Sequence, residues 1–266
     1  MQLNQVFHGD CLDVMTDIPD NSVDMILCDL PYGITARNKW DIVIPFEPLW
    51  EQYLRVTKKN AAIVLTAVQP FASRLILSNE AMFRYDLVWK KNTKSGFLNA
   101  KKMPLRSHEQ ILVFYQKLPI YNPQKTTGHK LTSHRINNSD YGNNYGKTKK
   151  GISCGGNTDR YPESIIYYPS VPHNIKDKVH PTQKPVGLFE YLIKTYTDEG
   201  MTVLDNCAGA CTTAIACNNL GRNWICIEKE QEYYDAGIKR IQSGQPAKPI
   251  CSTESVKERG TCGVPG

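Results

Sequence analysis

Val203-Leu204-Asp205-Asn206-Cys207-Ala208-Gly209-Ala210-Cys211-Thr212-Thr213 reads as a short apolar strand, a turn of small residues, and a helix that opens on two threonines. Small residues in such a turn let the backbone approach a ligand closely. The helix start that follows offers unpaired N–H groups that Thr212 or Thr213 can cap. Further on, Trp224-Ile225-Cys226-Ile227-Glu228 ends a second apolar run in an acid, 19 positions beyond Gly209. That spacing suits a carboxylate that grips ribose hydroxyls. The three-glycine turn that receives a pyrophosphate is missing, so a nucleoside without phosphates fits better than a nicotinamide or flavin cofactor.

A second stretch has the same logic. The apolar run Val23 to Cys28 empties into Asp29-Leu30-Pro31-Tyr32. An acid that accepts a hydrogen bond, a proline that stiffens the turn, a backbone carbonyl at Leu30 and an aromatic ring are the parts needed to hold a planar, amino-bearing ring. A plain loop exit is the alternative for this tetrapeptide taken alone.

Between and around these stretches, strands and helices alternate. Strands are expected at Asn4–Phe7, Val23–Cys28, Ala62–Leu65, Asp86–Trp89 and Gln110–Tyr115. Helices are expected at Cys11–Thr16, Leu49–Thr57, Phe71–Ser78 and, with Pro185 at its start, Val186–Thr197, where apolar residues recur at 188, 189, 192 and 193. Residues 34–48 read as a mobile loop near the site, and 116–179, rich in Gly, Asn, Pro, Lys and Tyr, as a loop-rich or partly disordered lobe. The pattern predicts a three-layer, Rossmann-like α/β fold with a mostly parallel sheet. Residues 1–115 and 180–243 form two halves of one domain, 116–179 an insertion and 244–266 an irregular tail. Ligands of such sheets bind at the carboxyl ends of the strands, near the switch in strand order. Strands at Val23 and Val203 can therefore be neighbours, with Tyr32 beside the small-residue turn.

Composition agrees. The 266 residues are 41% hydrophobic and 22% charged, enough for a substantial core. No apolar run approaches a membrane span, and the first residues lack the basic flank and apolar stretch of a secretory leader, so a cytoplasmic location without membrane attachment is expected. Nine cysteines without a Cys-x-x-Cys pair support neither a disulfide framework nor a zinc site, and most are expected to be small buried residues. Net charge is +6, yet residues 90–150 hold 13 Lys and Arg against 2 acids. That local excess, interleaved with Tyr, Asn, Gln and His, fits a nucleic-acid surface, for which Lys94, Lys101, Lys102, Arg106, Lys130 and Arg135 are the candidate contacts; a solvated basic face is the alternative. Trp40 and Trp89 are candidates for walls of a base pocket, with core placement as the alternative. His108 and Glu109 are read as neither an acid–base pair nor a metal site, because neighbours on a strand face opposite ways and no further ligand cluster is visible.

Asp29-Leu30-Pro31-Tyr32 and Leu204-Asp205-Asn206-Cys207-Ala208-Gly209 together resemble the catalytic and S-adenosylmethionine motifs of amino-group DNA methyltransferases. Their order, catalytic motif first and cofactor motif last, is similar to the beta class of phage and restriction-modification enzymes. Phe7-His8-Gly9-Asp10-Cys11-Leu12, Arg106 to Phe114, and His180-Pro181-Thr182-Gln183-Lys184-Pro185 match further motifs, so the resemblance spans roughly residues 5–235. It implies a site-specific enzyme that moves a methyl group from S-adenosylmethionine to the N6 amine of a flipped-out adenine in double-stranded DNA, with a homodimer left open. Asp29 and the Leu30 carbonyl are implied to accept from the amine, with Pro31 shaping the turn and Tyr32 stacking on the base. Asp10 and Glu228 are implied to hold the cofactor's adenine and ribose. Asp205, Asn206, Gly209 and Thr212 are implied on the methionine side, and Thr182 and Lys184 at its carboxylate. The middle lobe is implied to recognise the target sequence. The acid that leads the catalytic motif resembles the adenine enzymes, with cytosine-N4 transfer as the alternative; cytosine C5 chemistry is disfavoured because no Pro-Cys pair occurs. The chain departs from the family at Leu30, where proline is usual, at Cys207, and at Cys211, where glycine is common. A side chain at Cys211 needs an allowed backbone angle and is expected to crowd the methionine end, which leaves a non-catalytic DNA-binding relative as a further alternative.

Overall fold

A computed structural model of the chain describes residues 1–34, 41–136, 153–172 and 179–244. Trp40 and residues 245–266 of the expected tail lie outside the described residues. The chain divides into two compact units, one of Met1–Gln124 with Glu163–Ala247, the other built on Lys125–Pro162.

The first unit is built on one eight-stranded sheet in the order β1, β10, β9, β2, β3, β5, β4, β8. The strands are β1 (Gln5–His8), β2 (Val23–Cys28), β3 (Thr57–Ala67), β4 (Phe83–Ser95), β5 (Arg106–Phe114), β8 (Ile165–Tyr167), β9 (Thr202–Asp205) and β10 (Asn223–Glu228). Only β5 runs against the others. The expected three-layer, mostly parallel α/β architecture is borne out. β2 and β9 lie side by side, Met25 opposite Val203 and Ile26 opposite Leu204. Connections run outward from this pair in both directions, so the crevice at its carboxyl end is the topological switch point.

Side-chain alternation explains the layers. Ile26, Cys28, Ile63, Leu65, Leu204, Ile225 and Ile227 face one way, onto α1 (Cys11–Met15), α2 (Phe46–Val56) and α3 (Phe71–Ser78). Met25, Leu27, Ala62, Val64, Val203, Trp224 and Cys226 face the other, onto α4 (Val186–Tyr196) and α5 (Thr212–Leu220). α6 (Gln231–Gln242) packs along β1 and β10.

The structure differs from expectation in three respects. α2 starts at Phe46 rather than Leu49, because Pro48 falls in the first turn, where the missing N–H has no helical partner to lose. β4 and β5 run beyond their apolar cores, since they pair with each other from Phe83 opposite Phe114 to Ser95 opposite Arg106, and β3 begins earlier than its apolar core, with Thr57 opposite Val23 of β2. Ile165–Tyr167, expected in a loop-rich lobe, adds to β4 as the edge strand β8. Asn122, also expected in that lobe, is part of the first unit, its N–H donating to Thr195 O at 2.8 Å. The second unit holds the short pair β6 (Arg135–Ile136) and β7 (Ser153–Cys154) and a bridge of Thr126 with Arg160. Among the described residues, no helix is long and apolar enough to cross a membrane.

Candidate active site

A cavity of about 970 Å³ opens at the carboxyl ends of β2 and β9. Its lining includes Asp29–Tyr32 from the end of β2, Asp205–Ala210 from the turn after β9, Glu228 from the end of β10, Asp10, and His180–Lys184. Segments as remote as Asp10 and Glu228 meet there because the parallel strands end level. This volume is at the upper end for small-molecule sites and suits a nucleoside cofactor together with a second planar group.

At one end stands Asp29. The Tyr32 hydroxyl donates to its Oδ1 at 2.6 Å and lies 2.9 Å from Thr66 Oγ1, which donates to the same Oδ1. Lys184 Nζ donates to Oδ2 at 2.5 Å. A carboxylate offers about four lone-pair sites, so one on Oδ2 stays open to a ligand donor. The Leu30 side chain is buried in the core, which explains the departure from proline: the position is filled by packing. Tyr32 lines the cavity with its ring 5.3 Å from that of Phe71.

Lys184, expected at the cofactor's carboxylate, pairs with Asp29 in this structure. Its ammonium, on a side chain only 7% exposed, lies between Asp29 and Glu109, with Glu109 Oε2 at 3.5 Å. Glu109 in turn pairs with Lys91 at 2.8 Å. Two carboxylates and two ammonium groups thus balance at this wall of the cavity. Burial works against the charge on Lys184, yet Asp29 and Glu109 hold its pKa above the ordinary lysine value. Burial likewise opposes the charge on Glu109, and Lys184 and Lys91 hold its carboxyl below the usual range. Among the described residues, Glu109 Oε2 has no hydrogen-bond partner beyond its 3.5 Å ion pair with Lys184, which leaves acceptor capacity at the cavity wall. Neither Lys91 nor the ion-pairing role of Glu109 is singled out by the sequence. The available sign was an acid two residues before buried Ile111 and four before buried Val113, on the same strand face. His108 is exposed and points away, as the strand alternation requires. Trp89 is both core and wall: it is 2% exposed, lines the cavity, and donates from Nε1 to Tyr168 O at 2.8 Å.

At the other end, Glu228 Oε2 accepts from Gly209 N at 2.7 Å and Oε1 from Glu230 N at 2.8 Å. Burial pushes the Glu228 carboxyl up. Asp10 caps α1, accepting from Leu12 N at 3.0 Å, and pairs with Lys229 at 3.0 Å. Burial opposes its charge, and these two donors hold its pKa below the usual value. Asn206 Oδ1 accepts from the Tyr53 hydroxyl at 2.6 Å, and Thr212 Oγ1 donates to Lys184 O at 3.3 Å, tying the start of α5 to the segment before α4. Thr182 Oγ1 lies 3.0 Å from His180 Nδ1.

Asp205 accepts from Cys207 N at 3.2 Å and from Thr213 Oγ1, but burial dominates and its pKa is pushed up to about 6. An acid raised in the folded state binds more protons there than when unfolded. Its contribution to stability is therefore largest below pH 4 and is lost as pH rises towards 6. The cofactor-free protein is expected to lose on the order of 3 kcal/mol over this window relative to Asp205→Asn. Urea unfolding of both proteins at pH 4 and pH 7 checks this; parallel losses would exclude Asp205 as the titrating group.

Cys211 has φ of +52° and ends the turn in the left-handed region where glycine is common. The expected crowding of the ligand side is not what its placement shows. Cys211 is fully buried and packs towards α6, where a Cβ built on Gly237 would meet its Sγ at 2.4 Å and the Gly209 carbonyl at 3.3 Å. Glycine in mid-helix makes room for the thiol. Gly237→Ala is expected to cost roughly 1–3 kcal/mol through overpacking. Adding Cys211→Gly should restore part of this by removing the Sγ and the left-handed strain. Thermal unfolding of the single and double variants tests the pair; a double variant no more stable than Gly237→Ala would overturn it.

Of the basic candidates, Lys94, Lys101, Lys102 and Arg106 are exposed on the hairpin of β4 and β5, and Lys94 and Arg106 also line the cavity. Lys130 is exposed in the second unit, and Arg135 lies in β6. No group of residues suited to hold a metal ion occurs among the described residues.

Comparison with known proteins agrees with this geometry. A family model described as DNA methylase, of the N6/N4 methyltransferase type, matches residues 23–239. The type II methyltransferase M.BglII of Bacillus subtilis is 30% identical over 270 residues, covering 92% of this chain and 70% of its own. The DNA adenine methyltransferase YhdJ of Escherichia coli (strain K12) is 29% identical, covering 89% of this chain and 82% of its own. In fold, the chain is similar to the cytosine-N4-specific PvuII DNA methyltransferase, with a TM-score of 0.65 at 15% identity over 89% of this chain and 85% of that one. It is also similar to the M1.HpyAVI–SAM complex, with a TM-score of 0.59 at 24% identity over 89% and 98%. With the catalytic and small-residue turns both inside the matched span, the chain belongs to the N6/N4 DNA methylase family.

Proposed function

We propose that this protein methylates the N6 amine of adenine at a specific sequence in double-stranded DNA, with S-adenosylmethionine as methyl donor. The carrying observation is an Asp29 carboxylate with an acceptor site left open, in the same cavity as the Asp205–Ala210 turn and Glu228. The residues present fit such a cofactor. Glu228 keeps lone pairs for a ribose diol after serving two backbone N–H groups, Gly209 lets the backbone come close, and Asp10 lies within the same lining. When bound, S-adenosylmethionine supplies an electrophilic methyl group on a sulfonium. Thr182 stands at the methionine end with the turn residues Asp205, Asn206 and Thr212. Lys184 is assigned instead to holding Asp29.

An exocyclic amine is a weak nucleophile because its lone pair is delocalised into the ring. Asp29 Oδ2, as an acceptor, draws one N–H out of the ring plane and favours a more tetrahedral nitrogen, while the Leu30 carbonyl accepts a hydrogen bond from the second N–H; one of these two protons is released once the nitrogen carries the methyl group. Tyr32, Thr66 and Lys184 prevent the carboxylate from turning. The Tyr32 ring and Trp89 supply the aromatic wall for a base removed from its stack. An acid at the head of the catalytic turn and the adenine enzyme YhdJ among the relatives support adenine. The fold likeness to a cytosine-N4-specific enzyme keeps that target as the second reading.

The test is incubation of purified protein with mixed-sequence duplex DNA and isotopically methyl-labelled S-adenosylmethionine, digestion to nucleosides and mass spectrometry. Labelled N6-methyl-2′-deoxyadenosine is expected, and sequencing of the modified DNA then gives the methylated sequence. N4-methyl-2′-deoxycytidine would keep the mechanism and overturn the target, and label transferred to RNA or protein in parallel incubations, with DNA unlabelled, would overturn the substrate.

A further inference from the structure

The hairpin of β4 and β5 carries apolar side chains where water, not protein, surrounds them. Phe97 is 75% exposed, Leu98 83%, Met103 57% and Leu105 36%. Such a cluster at a projecting tip marks a surface that is covered in a complex. The tip is also ordered. Gly96 turns the chain with φ of +87°, Phe97–Asn99 form a single 3₁₀ turn, and Lys102 N and Met103 N both donate to Asn99 O, at 2.8 and 3.0 Å. The apolar side chains are therefore presented in a set direction. Around them the charge has one sign: residues 87–108 contain six Lys and Arg and no acid. A polyanion complements this surface, whereas a second copy of the same face is repelled by it. The feet of the hairpin, Lys94, Ser95 and Arg106, form part of the cavity wall together with Trp89 and Glu109.

We propose that residues 96–105 are a wedge that enters the base stack of duplex DNA, with Phe97 and Leu98 filling the space left by the extruded base while Lys94, Lys101, Lys102 and Arg106 hold the flanking phosphates. The inference rests on duplex DNA being the substrate. Extruding a base costs unpairing and unstacking, and an apolar side chain in the gap offsets part of that cost by keeping the neighbouring pairs covered. The continuity of the hairpin from tip to cavity wall links the gap to the pocket that receives the base.

The experiment compares two oligonucleotide duplexes carrying the sequence that the wild type methylates, one fully paired and one with an abasic site opposite the target, where extrusion costs less. For Phe97→Ser/Leu98→Ser, kcat/KM on the paired duplex is expected to fall by roughly ten- to a hundredfold. The loss on the abasic duplex should be much smaller, with cofactor affinity unchanged, since both side chains are exposed and neither lines the cavity. Lys101→Ala/Lys102→Ala should weaken both duplexes alike and lower the salt dependence of binding by about one unit of log–log slope per lysine. Equal losses of the apolar variant on both duplexes, or none on either, would overturn the wedge. So would wild-type binding to phosphatidylserine vesicles that the apolar variant loses while methylating paired DNA normally. A wild type that transfers no methyl group to any DNA refutes the underlying substrate assignment instead, a result separate from the variant comparison.

Discussion

Asp29→Ala is expected to reduce methyl transfer by about a thousandfold or more while cofactor affinity stays near that of the wild type. The reason is geometric. The carboxylate is fixed by the Tyr32 and Thr66 hydroxyls on Oδ1 and by Lys184 on Oδ2, so the remaining acceptor direction is set before any ligand arrives. Alanine removes the acceptor and leaves the Lys184 ammonium facing Glu109 alone. Asp29→Asn keeps an oxygen of similar position but brings an N–H₂ group that must face either Lys184 or the amine. It should also be strongly impaired, which separates the need for an acceptor from the need for volume. Single-turnover transfer of a labelled methyl group, with calorimetric titration of S-adenosylmethionine, makes the distinction. Retention of transfer within tenfold in Asp29→Ala would place the acceptor elsewhere.

Lys184→Met is the second large effect. Lys184 is buried between two carboxylates, and removing one partner of a buried ion pair leaves uncompensated charge, a loss of about 3–5 kcal/mol. Glu109, whose carboxyl is held low by Lys184 and Lys91, should then titrate upward, and Asp29 should lose the donor on Oδ2. The expected kinetic outcome is a fall in the transfer step with a smaller change in cofactor affinity. A role at the cofactor's carboxylate would produce the reverse pattern. Adding Glu109→Gln to Lys184→Met restores charge balance and should recover part of the stability, so a double-mutant cycle in urea measures the coupling directly. A coupling energy near zero would show that the two groups do not interact as the distances state.

The elements that proved legible share a physical property. β2, β9 and β10 are buried on both faces over most of their length, so their sequences are largely apolar runs, broken in β2 by Asp24, that end abruptly in Asp29, in the Asp205 turn and in Glu228. The arms of β4 and β5 were only partly legible, since residues such as Lys90, Thr93 and Lys94 are exposed and carry no apolar alternation; their strand form comes from pairing with each other. The basic excess was legible as charge, but its arrangement around an ordered apolar tip depends on the turn at Gly96.

The sequence by itself determined the layered α/β fold, the order of the two turns and the acids at their ends, because burial on both sheet faces and close backbone approach restrict residue type locally. Tertiary structure alone decided which charges meet. Lys184 joins Asp29 and Glu109 across 155 and 75 positions of chain, a pairing that no local pattern encodes. It also decided that the Cys211 thiol has a place, since the space it needs is made by Gly237 on another helix. Both outcomes follow from one cause: electrostatic and steric compatibility are set by distance in space, and the fold brings together atoms that the chain keeps far apart.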